Sequence, residues 1–421
     1  MGFGPSTKMT TMHHYRCPIV NVVSSYDGLE FVGVIAKGVS DKQVDKERTS
    51  VETAKMAKEL GLDAAIVALD GWGNHHIDFT TVIGELEKNG IATAGLSFIG
   101  QQATFVATNE EVDLVLDYNK SESGFETQVL GENSLMEIDA MKAMVELSKK
   151  MAKRGKKWDK KKDPNEKKES KLTKDYINIK EVKFGEGNKI DGHTLIIDED
   201  IAIDALEGQE RIIDMSVDII KPGDYKKEAN TNLDMMPIAD KKSGKLGEGE
   251  TVELRGVVAM ITGVEEAYDL QPANMGSCDG TLEEKISFDK PGTPSVDDYI
   301  FHIDFTFKEG EGRTADGIIT AHKIADQLIG KIREILKTYD GKYDESKDFY
   351  NIKRPGKYKI GIVKVVSGVG CMYDTFVKAD EPAGIIGGEN MRLRKNSPVH
   401  LTPNEARDGG CLLYTSPSPR D

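Results

Sequence analysis

Ala64-Ala-Ile-Val-Ala-Leu-Asp-Gly-Trp-Gly-Asn-His-His-Ile-Asp78 decides how the first part of this chain is read. Its six opening residues are a short apolar run of the kind that makes a buried strand. A polar, glycine-bearing loop follows from Asp70 to Asp78, and helical spacing then runs from Phe79 to Lys88, stopped at Gly90. The same alternation appears upstream. Phe31-Val-Gly-Val-Ile-Ala36 predicts a strand, and Lys46 to Leu60 predicts a helix with an apolar face of Val51, Ala54, Met56, Ala57 and Leu60, closed by Gly61. Downstream, Ile91 to Ile99 reads as a third strand, Val112 to Asp117 as a strand near an edge, and Ile138 to Met151 as a closing helix. Strands alternating with helices predict a mostly parallel, Rossmann-like α/β sheet with right-handed crossovers.

Ligands bind such sheets at the carboxyl ends of the strands, which is where the loop of Asp70, Gly71, Trp72, Gly73, Asn74 and His76 falls. Two glycines permit close backbone approach, and the polar side chains surround a planar aromatic. The other reading of the loop is a plain glycine turn with Asp78 as N-cap of the next helix. No metal site is expected at His75 and His76, because adjacent residues seldom aim at one ion. The third glycine of a dinucleotide fingerprint is also missing. A second candidate position is His13-His14, ahead of Pro18 and the strand-like Ile19-Val-Asn-Val-Val23.

A lysine-dense seam, Lys149 to Lys171, divides the chain. It carries twelve Lys/Arg against four acids, in a protein of 56 Lys/Arg and 71 Asp/Glu whose net charge is −15. A segment so poor in apolar residues reads as a solvated linker between residues 1–148 and 172–410. The acidic body argues against a nucleic-acid arm. No apolar run is long enough to span a bilayer, so no membrane role is expected. Four scattered cysteines, Cys17, Cys278, Cys371 and Cys411, form neither a disulfide framework nor a zinc pattern, which makes a reducing cytoplasm the expected compartment. Residues 411–421, Cys-Leu-Leu-Tyr-Thr-Ser-Pro-Ser-Pro-Arg-Asp, match the translation of a transposon-type sequencing adaptor and are read as an artefact outside the fold.

Beyond the seam the pattern is β-rich, then α/β. Tyr176 to Phe184 alternates like a half-exposed strand, with His193 to Asp198 as its expected hairpin partner. Met215 to Ile220 and Glu253 to Ile261 add strands, and the group reads as an antiparallel or barrel-like subdomain. Tyr299 to Phe307 then leads to a long helix, Thr314 to Tyr339, and Lys357 to Val366 is a further strand. The glycine-rich stretch Gly368-Val-Gly-Cys-Met-Tyr-Asp374 follows it as a connection toward a cleft.

Four stretches of the first half, Phe31-Val-Gly-Val-Ile, Asp45-Lys-Glu-Arg-Thr-Ser, Leu60-Gly-Leu-Asp-Ala and Gly71-Trp-Gly-Asn, resemble the pyruvoyl-bearing part of the clostridial amino-acid reductases. That family comprises D-proline reductase and component B of the glycine, sarcosine and betaine reductases. Thr10-Thr-Met-His-His, leading into Pro18-Ile-Val, resembles the family's segment just after its processing site. The second half resembles the large chain of the same proproteins through Ile179-Lys-Glu-Val-Lys-Phe-Gly, Lys221-Pro-Gly, Val257-Val-Ala-Met-Ile-Thr-Gly and Tyr373-Asp-Thr.

The resemblance implies amino-acid fermentation by reductive C–N cleavage in a multi-subunit complex. In that family a cysteine at a cleavage site becomes a pyruvoyl group, whose carbonyl condenses with the substrate amine before a selenocysteine partner attacks the α-carbon. Here the two halves stand in reversed order, and counting back from Pro18 puts Gly2 where the precursor cysteine would stand. The expectation is therefore an accessory or structural subunit that carries no pyruvoyl of its own, with D-proline or a related amino acid as ligand of the complex. Two alternatives remain at this point: a catalytic proprotein whose processing site lies beyond Gly410, and an amino-acid-binding effector module using Asp70, Trp72 and Asn74.

Overall fold

The computed structural model describes residues 10–40, 42–69, 74–99, 105, 107–120, 129–159, 161–266, 280–312, 314–366 and 395–409. Two short helices come first, α1 (Thr11–Tyr15) and α2 (Pro18–Ser24). The predicted alternation then follows as β1 (Leu29–Gly38), α3 (Gln43–Glu59), β2 (Ala64–Leu69), α4 (His75–Lys88), β3 (Ala92–Ser97), β4 (Val115–Asp117) and α5 (Glu137–Lys153). Ile19–Val23 is helical rather than extended. Pro18 sits in the first turn of α2, where its missing N–H costs nothing, and Ile19, Val20, Val22 and Val23 all find buried contacts there.

The first sheet has the order β17-β1-β16-β2-β3-β4, with β16 (Tyr358–Val366) and β17 (Val399–Leu401). Strands β1, β16, β2, β3 and β4 are parallel, and β17 closes the edge antiparallel to β1. Helices α2 and α5 cover one face, over Ala36, Ala68, Leu96 and Ile362. The other face, with Ile35, Val67, Leu69 and Val365, packs under α3 and α4. The sequence places β16 and β17 in the second unit, yet β16 sits between β1 and β2. Its Ile360, Ile362, Val363 and Val365 are fully buried, and only the centre of a parallel sheet covers both faces of a strand.

The second sheet runs β15-β5-β12-β14-β9, with β11 on the other edge of β12. Its strands are β5 (Lys167–Asn178), β9 (Ile212–Ile220), β11 (Asn232–Ser243), β12 (Gly249–Glu265), β14 (Tyr299–Phe307) and β15 (Glu345–Lys353). The expected antiparallel pairing holds for β5/β15, β9/β14 and β11/β12, whereas β12 is parallel to both β5 and β14. The His193–Asp198 run, strand β8 (Thr194–Asp198), is no hairpin partner of β6 (Glu181–Gly185). The two are parallel, because β7 (Lys189–Asp191) takes the tight turn with β8 instead. A two-stranded ribbon, β10 (Glu228–Ala229) with β13 (Gly280–Thr281), and the short helix α6 (Leu282–Lys285) lie at the periphery. The long helix α7 (Ala315–Thr338), N-capped by the Thr314 hydroxyl, lays Ile318, Ile324, Leu328, Ile332 and Leu336 on the sheet. Helix α8 (Pro403–Gly409) ends the described chain. No described helix is long and apolar enough to cross a membrane.

Most of the lysine seam is exposed, but its first part is held by ion pairs. Lys150 of α5 is 8% exposed and bonds Glu87, Asp113 and the Thr93 carbonyl, Arg154 pairs with Glu87, and Lys156 reaches Asp63 at 2.8 Å. Its far end is the start of β5, paired to β15. Lys150, Arg154 and Lys156 are thus matched by acids of the first unit, while Lys153, Lys157, Lys161, Lys162, Lys167 and Lys168 stay exposed.

At one point the second sheet depends on a glycine. Strand β12 pairs with β5 up to Arg255 and with β14 from Val257, and the Ile179 amide bonds the Arg255 carbonyl at the handover. Gly256 sits between at φ +82°, and a Cβ there would stand 2.1 Å from the Ile179 carbonyl oxygen. A Gly256→Ala variant is expected to lose about 2 kcal/mol or more in urea denaturation, with the loss confined to stability if the fold survives.

Candidate functional site

The carboxyl end of the first sheet carries two lysines inside otherwise apolar strands, Lys37 on β1 and Lys364 on β16. Lys364 lies beside Ala36 and Ala68, and Lys37 lies beside Val365. Because side chains alternate along a strand, the two ammonium groups leave on opposite faces.

On the α3/α4 face, Asp78 accepts from both Lys37, at 2.7 Å, and Lys46 of α3, and all three are at most 1% exposed. Two cations on one carboxylate leave a buried positive excess. Burial pushes the Lys37 ammonium down from its ordinary value and Asp78 holds it up, burial being the larger effect. Helix α4 begins at His75 with Asn74 in the cap position, so Asp78 is no N-cap; a carboxylate buried this deeply needs cations more than it needs a free amide. Lys46 also reaches the Asn74 carbonyl at 3.4 Å.

Among the predicted site residues, Asn74 is exposed at the sheet end, and His76 is buried with Nε2 3.1 Å from the Ser97 hydroxyl and its ring edge-on to Phe105. Burial lowers the His76 pKa. Asp70, Gly71, Trp72, Gly73 and Gly2 lie outside the described residues, as does 368–374. No group of His, Cys, Asp and Glu that could hold a metal occurs among the described residues.

On the other face, α1 brings in His13 and His14, both buried. His13 Nε2 donates to the Leu135 carbonyl at 2.9 Å, which leaves Nδ1 as an acceptor with no partner among the described residues. Lys364 Nζ donates to His14 Nδ1 at 3.2 Å. Burial, then the nearby Lys364 charge, lowers His13 to about 4 and takes His14 well below its usual range. Both imidazoles are therefore neutral at physiological pH. They line a cavity of about 10 Å³ with Lys364, Ile19, Ala68, Leu69, Leu135 and Val366, room for about one water. The structure thus unites His13 and His14 with Lys364, and separates them from His76 and Asn74 by the thickness of the sheet.

Helix α1 is tied equally to the second sheet. Asp234 of β11 accepts from the Thr11 amide at 2.8 Å and from the Thr11 hydroxyl, while Thr10 Oγ1 donates to the Gly292 carbonyl at 2.8 Å. His322 of α7 has Nε2 3.8 Å from the same Asp234 carboxylate. Burial raises Asp234 to about 7 against the opposing pull of the Thr11 bonds, and lowers His322 to about 4. Sequence reasoning missed Lys37, Lys364, Lys46 and Asp234. The legible signal was a lone lysine in an apolar strand, as in Val34-Ile-Ala-Lys37 and Ile362-Val-Lys364-Val.

The sequence profile of the glycine/sarcosine/betaine reductase component B subunits matches residues 3–115 and 170–268, half of the chain. The chain belongs to this family. The matched residues include Lys37, Lys46, Asp78, His13, His14 and Asp234, but not Gly2, Lys364 or His322. The chain is 36% identical over 250 residues to a D-proline reductase proprotein of Acetoanaerobium sticklandii, covering 59% of this chain and 40% of that protein. It is 36% identical over 94 residues to the betaine reductase complex component B subunit alpha of Peptoclostridium acidaminophilum, covering 22% and 21%. It is also 38% identical over 92 residues to the glycine reductase complex component B subunits alpha and beta of A. sticklandii, covering 21% of each. The chain thus spans two fifths or less of the length of these curated relatives. No solved structure matches it.

Replacing Asp78 with alanine is expected to cost about 3–5 kcal/mol in denaturant unfolding, since Lys37 and Lys46 would then be buried together without a counter-charge. For Asp234, whose carboxyl is raised from 3.8 to about 7, the stabilising contribution is complete below pH 3.8 and is lost as pH rises through 7. The buried histidines work in the opposite sense, losing stability as pH falls from 6.5 toward 4. Subtracting the melting curve of Asp234→Asn from that of the wild type isolates the first effect: the wild type's advantage shrinks steadily between pH 4 and 7.

Proposed function

We propose that this chain is a subunit of an amino-acid reductase complex of the D-proline reductase type, acting as an accessory or structural component. One observation carries the reading: both halves match the family, while Gly2 stands where the pyruvoyl precursor is expected. Pyruvoyl formation eliminates the precursor's sulfur and keeps its Cβ as the methyl carbon of the new group, and glycine has neither atom. Among the described residues the cysteine is Cys17, 3% exposed at the junction of α1 and α2. No step through a pyruvoyl group is assigned to this chain.

In this reading the protein's residues bind and position. Asn74, exposed at the strand ends beside the buried Lys37–Asp78–Lys46 excess of positive charge, suits the carboxylate of an amino acid such as D-proline. Asp70 and Trp72 would complete that contact. The partners are other reductase subunits, among them the selenocysteine protein, in a cytoplasmic complex. Intact-mass spectrometry after treatment with a carbonyl-reactive hydrazide tests the accessory role. The expected result is a full-length, unlabelled chain, and a cleaved, labelled one would overturn it.

A further inference from the structure

A cleft of about 560 Å³ opens where α1, α2 and α8 meet the β15-β5-β12 side of the second sheet, a size that suits a small ligand. In a chain of net charge −15, its wall is cationic: Arg16, Lys174, Arg255, Lys347 and Arg407. Four of these are already matched in pairs. Glu253 takes Arg16 at 3.2 Å and Lys174 at 3.0 Å, and although burial opposes it, those two cations hold its carboxyl down at about 2. Glu345, behind the wall, takes Arg255 and Lys347. Each cluster keeps one positive charge, Arg407 adds a third, and the lining carboxyl of Asp298 offsets one, which leaves an excess of two.

Arg407 is the decisive residue. It has no carboxylate within ion-pair distance among the described residues; its guanidinium faces only the Phe349 ring, 5.1 Å away. Burial brings its pKa down to about 10. Arg407 is half-buried without a carboxylate partner among the described residues, and its planar fork matches a carboxylate or phosphate. A second, independent group points the same way. Tyr15 on the same wall is 4% exposed, and its hydroxyl has no hydrogen-bond partner among the described residues. Burial, reinforced by Glu253, raises that phenol well above 10, so it stays a neutral donor.

We propose that this cleft binds a small dianion, a dicarboxylate or a phosphate, paired with Arg407 and hydrogen-bonded by Tyr15. Tyr15 and Arg16 end the same α1 that carries His13 and His14, so the bound anion ties that helix to the second sheet. The site is separate from the sheet-end residues and does not depend on how the chain serves a reductase.

The test is isothermal titration of the full chain with sodium phosphate and with sodium succinate, against sodium chloride at equal ionic strength. Saturable binding of at least one dianion is expected, weakened roughly tenfold by Arg407→Gln, several-fold by Tyr15→Phe, and not at all by the distant Arg211→Gln. Binding of phosphate alone identifies a phosphate ligand, and binding of succinate alone a dicarboxylate. Absence of saturable binding to either overturns the proposal, as does equal affinity in Arg407→Gln and Arg211→Gln. Should Arg407→Gln fail to fold, Tyr15→Phe and the half-exposed Lys347→Gln decide it: unchanged affinity in both overturns it.

Discussion

The grip of Asp234 on Thr11 fixes the first helix of the chain to the second sheet. One carboxylate of β11 holds both the backbone amide and the hydroxyl of the first residue of α1. From that anchor the next residues alternate between the sheets: His13 and His14 reach the first, through Leu135 and Lys364, and Arg16 returns to Glu253 of the second. A five-residue helix is too short to hold its shape by itself, so it is the surroundings that hold α1. Thr11 ends on the second sheet, His14 on the first and His13 on the Leu135 carbonyl, while the Tyr15 hydroxyl has no partner among the described residues.

Buried charge follows a consistent pattern at the ends of the strands. Lys37, Lys46 and Asp78 form a nearly solvent-free group, and Lys364 donates to His14. Such groups seldom raise stability over an apolar replacement, because desolvation offsets most of the attraction. Their presence at the strand ends, where α/β sheets bind ligands, is better explained by positioning than by stability. The neutral state of His13 and His14 has the same origin, since neither imidazolium could be solvated there.

Much of the fold was legible in the residue pattern. The apolar runs at Phe31, Ala64 and Ile91 are strands, and the intervening 3.6-residue spacings are helices, because complete burial of a parallel strand demands a continuous apolar run. Where pattern reading failed, two structures shared one pattern. Ile19-Val-Asn-Val-Val23 suits a strand or a buried helix equally, and the contacts under α5 select the helix. Most of the lysine seam is exposed as its charge suggests, and only the opposing Glu87, Asp113 and Asp63 reveal why Lys150, Arg154 and Lys156 are held. In the site, His13, His14, Asn74 and His76 were chosen from local residue type alone, and the sheet then divided them between its two faces.

By itself, the sequence determined the element types, the parallel character of the first sheet and membership of the component B family, since periodicity and short ordered motifs are local properties of a chain. The tertiary structure decided what distance along the chain conceals. Lys364 and His14 are 350 positions apart, and Asp234 and Thr11 are 223 apart. The insertion of β16 between β1 and β2 makes the first pairing. The placement of α1 between the sheets makes the second, and it also brings Tyr15 and Arg407 to the same cleft. Burial and charge compensation are properties of neighbours in space, and no local pattern encodes which distant residue that neighbour will be.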